Sequence, residues 1–196
     1  VDYNNDGIRD LLVGNGEGSL LYYANRGNTT HASFAQPTTI YDVHGNCLAV
    51  DSYCTPCVVD WDDDNRKDIL LGSGTGALVL YRNEGSESEP LFSPPSHIEV
   101  DGTKINVTST AVPVVADWNN DGGKDLLVRN QEGECFLFLN GVVHGEPDLF
   151  RVEQFQMGDS KTGSSGFPVP IPFYWNQFGG ESYLDGNSYR SLNHSL

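Results

Sequence analysis

Three stretches of this chain carry oxygen-bearing side chains in the same rhythm. Asp2, Asn4, Asp6 and Asp10 form the first, Asp60, Asp62, Asp64 and Asp68 the second, and Asp117, Asn119, Asp121 and Asp125 the third. Counted from the first acid, the oxygens fall at positions 1, 3, 5 and 9. Position 7 (Ile8, Arg66, Gly123) is free to offer its backbone carbonyl. A hard cation suits such a set, because calcium takes about six to eight oxygens at about 2.3–2.6 Å and alternating acids on a tight loop converge on one point. Gly7, Asn65 and Gly122 occupy position 6, where a sharp turn favours residues that tolerate left-handed backbone. One such loop alone would read equally as an acidic turn bonding its own backbone. Three in phase favour metal, and about three calcium ions are expected. An EF-hand is excluded, since it needs a bidentate Glu at position 12 and flanking helices. Val13, Leu71 and Val128 stand at that position, inside apolar, strand-like runs.

The charge agrees with this chemistry. The 196 residues hold 27 Asp plus Glu against 11 Lys plus Arg, a formal net charge of -16. Nucleic acid is excluded as a main partner, because binding phosphate needs a basic face. Three calcium ions would bring the charge to -10, so much of the acidity has a structural use. Hydrophobic residues at 38% with 22 Gly and 10 Pro describe a folded, loop-rich, strand-rich chain. No apolar run is long enough to span a membrane as a helix.

The elements that position the loops repeat with them. Asp2 to Asp10, Asp60 to Asp68 and Asp117 to Asp125 are offset by 58 and then 57 residues, each followed by an apolar run. Short apolar runs also precede the second and third loops, at 56–59 and 113–116. Gly-rich turns then lead to third strands at 18–23, 76–81 and 133–139, which end near Asn25, Asn83 and Asn140. A fourth extended stretch follows, such as 97–100. Pro170, Trp175, Asn176 and Gly179 mark a decayed fourth copy near 168–188, with Tyr174, Phe178 and Ser182 where the acids stood. Four short strands per unit of about 57 residues is the pattern of a propeller blade. The expected fold is therefore all-β, one propeller segment over 1–196. Its repeats lie near 1–54, 55–111, 112–168 and a partial 169–196.

These loops resemble the calcium-binding repeats of the FG-GAP and VCBS families, known from integrin α-subunit propellers and many secreted proteins. The resemblance covers residues 1 to about 186. It implies a seven-bladed propeller with a calcium loop joining the first two strands of a blade. Asn65 replaces the usual Gly, and the fourth copy has lost its ligands. Because Val1 aligns with the end of a first strand, the chain is expected to be part of a longer propeller, or to be completed by another copy in an oligomer or fibre.

Other residues carry weaker signals. His44 and Cys47 with Cys54 and Cys57 have a spacing that could hold zinc, but the segment is strand-like. A Cys47–Cys54 disulfide is the more plausible use, with Cys57 and Cys135 left open. Asn28, Asn106 and Asn193 begin N-glycosylation sequons. Tyr3, Trp61 and Trp118 share loop position 2, where packing between blades is favoured over sugar stacking. No nucleophile, base and oxyanion set can be named, so no enzyme is expected. The sequence points to an extracellular calcium-binding scaffold for adhesion or assembly, with a protein or glycan ligand or further copies of itself as partner. The alternatives are a lectin or part of a polysaccharide-active enzyme.

Overall fold

The computed structural model describes residues 1–156, with side chains to residue 150. The decayed fourth copy and Asn193 lie outside the described residues. Thirteen strands and no helix occur among those described. Strands β1 (Leu11–Gly14), β2 (Leu20–Tyr23) and β3 (Thr38–Thr39) form sheet one in that order. Strands β4 (Thr55–Val59), β5 (Asp68–Gly72), β6 (Leu78–Tyr81) and β7 (Ser96–His97) form sheet two. A small hairpin, β8 (Glu99–Val100) and β9 (Thr103–Lys104), precedes sheet three, made of β10 (Val112–Ala116), β11 (Asp125–Arg129), β12 (Glu134–Asn140) and β13 (Leu149–Gln156). Every neighbouring pair is antiparallel.

One expected strand is split. The stretch expected at 97–100 pairs with β6 only through Ser96 and His97, then turns into the hairpin. Ile98, between the two, is buried and its carbonyl accepts from the N–H of Ile105 at 2.9 Å. An apolar side chain at the break thus draws the backbone out of the sheet.

The core lies between sheets, as strand alternation requires. Ile69, Leu71 and Tyr81 of sheet two pack with Leu20, Ile40 and Leu48, while Leu70, Leu78 and Leu80 pack with Leu126, Val128, Phe136 and Phe138 of sheet three. Trp61 sits in that second cluster at 2% exposure, and Tyr3 packs against the first. Both junctions repeat one backbone pattern. The segment entering sheet two donates from Val50 to Gly18 and from Cys54 to Asn15, each at 2.9 Å. The segment entering sheet three donates from Val107 to Gly76 at 3.0 Å and from Ala111 to Ser73 at 2.9 Å. Close approach here demands glycine: a Cβ on Gly14 would overlap the Cys54 carbonyl, and one on Gly72 that of Ala111. The same place in sheet three is Arg129, which is exposed.

The expected Cys47–Cys54 disulfide is not formed, and all four cysteines are free. Cys54 is buried beside Leu20, Leu48 and Ile69, whereas Cys47 is exposed on a bridge to Tyr41. Between them Leu48 and Val50 are held along the sheet-one turn by backbone hydrogen bonds. One thiol therefore belongs to the core and the other to solvent.

Candidate metal centre

In sheets two and three the acidic loop is the connection between the first and second strands and hangs from a defined rung, whereas the first loop leads into β1. Val59 pairs with Asp68, and Ala116 with Asp125, so positions 1 to 8 bridge the open end of a hairpin. Within the loops the bonding is the same three times. The position 1 carboxylate accepts from the N–H of position 5, as Asp2 from Asp6, Asp60 from Asp64 and Asp117 from Asp121, at 3.0–3.1 Å. Its other oxygen accepts from position 6, namely Gly7, Asn65 and Gly122, at 2.9–3.0 Å. The position 5 acid accepts from the N–H of Ile8, Arg66 or Gly123 at 2.7–2.8 Å.

Two residues per loop take left-handed backbone. Position 6 does so as expected, with φ of 85° at Gly7, 65° at Asn65 and 91° at Gly122. Position 4 does so too, at Asn5, Asp63 and Asn120 with φ of 57° to 62°. Asn and Asp are the residues beyond glycine that bear this conformation best, which is the signal the sequence carried at position 4.

The position 9 acids lie deeper and hold the sheet together. Asp10, Asp68 and Asp125 are buried at 5%, 1% and 1% exposure. One oxygen of each accepts from the backbone of Tyr3, Trp61 or Trp118 at 2.7–3.1 Å. The other accepts from the backbone of Asn25, Asn83 or Asn140 at 2.7–2.8 Å, at the end of the third strand. Those asparagines in turn cap the following loop: Asn83 Oδ1 accepts from Gly85 and Leu91, and Asn140 Oδ1 from Val142 and Asp148. This latch from acid to asparagine was missed in the sequence, although the recurrence of Asn25, Asn83 and Asn140 was its trace.

The second loop has the geometry of a cation site. Asp60, Asp62 and Asp68 each bring a carboxylate oxygen within 4.8 Å of the others. Among the described residues no other group of three histidine, cysteine or carboxylate side chains gathers in this way, so His44, Cys47, Cys54 and Cys57 form no such cluster. Burial pushes the Asp68 carboxyl up to about 6. Burial, then the charge of Asp64, also raises Asp62, and burial raises Asp125. Asp62 Oδ1 is buried with no hydrogen-bond partner among the described residues. An orphaned carboxylate oxygen beside two other acids costs free energy unless a cation answers it. The donor set therefore fits calcium. Asp64 stands outside the trio and pairs with the Arg66 guanidinium.

The other singled-out residues lie apart from the loops. Asn28 is exposed, and its Oδ1 accepts from Thr30 and His31. Asn106 is exposed, its Oδ1 accepting from the N–H of Thr108 at 2.8 Å.

A family model described as an FG-GAP-like repeat matches residues 60–128. That span runs from the first acid of the second loop to Val128, three residues past the last acid of the third. No curated protein and no solved structure was found to match the chain.

Proposed function

We propose that this chain, with an FG-GAP-like repeat over residues 60–128, is an extracellular calcium-stabilised propeller segment whose work is to hold loops rigid for adhesion or assembly. The observation that carries this is the orphaned Asp62 Oδ1 beside Asp60 and Asp68, in a loop whose bonding recurs at three sequence positions. The second loop would hold calcium through Asp60, Asp62, Asp64, Asp68 and the Arg66 carbonyl. The first would use Asp2, Asn4, Asp6, Asp10 and the Ile8 carbonyl, and the third Asp117, Asn119, Asp121, Asp125 and the Gly123 carbonyl. Calcium supplies charge neutralisation and rigidity there, stiffening the hairpin between a sheet's first two strands.

The extracellular placement rests on metal alone, since no disulfide supports it. Extracellular calcium modules bind at about 10⁻⁴–10⁻³ M, so such sites fill outside cells and empty inside. No helix among the described residues is long and apolar enough to cross a membrane. The partner is a protein or glycan surface, or further copies of the chain.

Thermal unfolding with calcium and with a chelator tests the reading. Ligand that binds only the native state stabilises by mass action, so 100 Kd of calcium at one site is expected to add about 2.7 kcal/mol. A melting temperature indifferent to calcium would reduce the loops to solvated turns. Mass measured on the same samples reads assembly: a multi-chain species supports self-association, and a monomer at all concentrations assigns the partner role to another molecule.

A further inference from the structure

We infer that the joint between sheets two and three sets the calcium affinity of the second loop, with Lys124 and Arg82 acting as competing cations and Glu146 drawing Arg82 away. This rests on the calcium reading above. The three loops share their backbone bonding but differ in what answers their side chains. In the first and third loops position 3 is an asparagine whose amide donates inside the loop, Asn4 to Asp6 at 2.9 Å and Asn119 to Asp121 at 2.6 Å. Position 4 is likewise an asparagine, Asn5 or Asn120. The second loop has acids at both places, Asp62 and Asp63.

Each of these two extra acids meets a basic group from outside the loop. Asp63 pairs with Lys124, accepts from the N–H of Gly145 at 3.1 Å, and lies 3.5 Å from His144 Nδ1. All three partners belong to sheet three or its connecting loop. The Lys124 ammonium also donates to the Asp60 carbonyl and stands 3.9 Å from Asp60 Oδ1, the position 1 ligand. Arg82, just beyond β6, has one guanidinium nitrogen 3.6 Å from Asp62 Oδ2 and the other on Glu146, in the connection between β12 and β13. Lys67, which stands in loop two where Lys124 stands in loop three, pairs with Glu87 in the connection between β6 and β7 of its own unit. Among the described residues the cross-sheet arrangement therefore belongs to the second loop.

A divalent ion among Asp60, Asp62 and Asp68 must share those carboxylates with Lys124 and Arg82. A unit charge held at that range alters affinity for a divalent ion by about a factor of ten. Glu146 acts in the opposite sense: it holds Arg82 away from Asp62 and leaves that carboxylate to the metal. By reciprocity, calcium in the second loop pushes Arg82 onto Glu146 and strengthens the ion pair between sheets. Occupancy and joint are then one equilibrium.

Calorimetric titration with calcium chloride alone tests this on the full chain, with loops one and three disabled by Asp2→Asn, Asp6→Asn, Asp117→Asn and Asp121→Asn. One ion is expected to bind. Adding Glu146→Gln is expected to weaken binding about fivefold, and adding Lys124→Met or Arg82→Met to tighten it about tenfold. Glu146 is half exposed and touches no ligand, so its variant remains informative if Lys124→Met fails to fold. Affinities within twofold of the parent for Glu146→Gln and for either cation variant would overturn the inference, as would shifts in one direction for both. A parent that binds no calcium overturns the calcium reading of loop two itself, a failure recognisable before any variant is compared.

Discussion

Cys54 and Cys57 show how little a residue's spacing says about its environment. Their thiols are pushed up to about 11, both by burial, and Cys135 is raised for the same reason. Only the thiolate reacts, so at pH 8 a thiol of pKa about 11 is about a thousandth ionised. Alkylation of the native chain at that pH is expected to label Cys47 quickly and the other three only after denaturation. Two or more fast thiols would contradict the packing described. The acidic pattern at positions 1, 3, 5 and 9 was legible because it is local and repeats. The different fates of Asp62 and Asn119 were not, because Arg82 and Lys124 reach the second loop from 20 and 64 residues away, and Glu146 acts on it through Arg82. No periodicity within a loop encodes such partners.

At the level of the hairpin, position 1 and position 9 acids have separable duties. Asp117 is partly exposed and, among the described residues, bonds only within its loop, whereas Asp125 is buried and satisfies the backbones of Trp118, Asn119 and Asn140. Asp125→Ala would remove the acceptor of three N–H groups; that of exposed Asn119 can turn to water, and stranding those of Trp118 and Asn140 is expected to cost about 2–5 kcal/mol even in chelator, given about 1–3 kcal/mol for each unsatisfied buried group. Asp117→Asn keeps an acceptor and is expected to cost under about 1 kcal/mol in chelator, while losing the third loop's share of the calcium response. Chemical denaturation with and without calcium separates the two; equal losses in chelator would refute the division. The strand positions themselves followed from apolar runs and turns, and most fell where the sequence put them. The split at Ile98 escaped because it depends on burial against sheet three, which no local propensity carries.

Across the whole chain, acidic self-repulsion is the force that bound calcium would most directly oppose. With -16 spread over 196 residues, the protein without metal works against that repulsion, which salt screens and bound calcium would reduce. Raising sodium chloride from about 0.02 to 0.5 M, with the Debye length falling from about 20 Å to about 4 Å, is expected to raise the melting temperature more in chelator than in calcium. An equal response in both would mean that the loops are not the seat of the repulsion. The all-β class and the repeat were visible from the offsets of 58 and 57, and the sheets meet through a recurrent junction that the offsets alone did not describe.

That junction also records which units can be copied. A tandem duplication that appends a new unit after sheet two inherits Gly72, and the incoming segment can settle against it as Ala111 does. A duplication appended after sheet three inherits Arg129, whose Cβ occupies the corresponding space. The second unit thus offers an incoming segment a bare backbone to lie on, and the third offers a side chain at the same place.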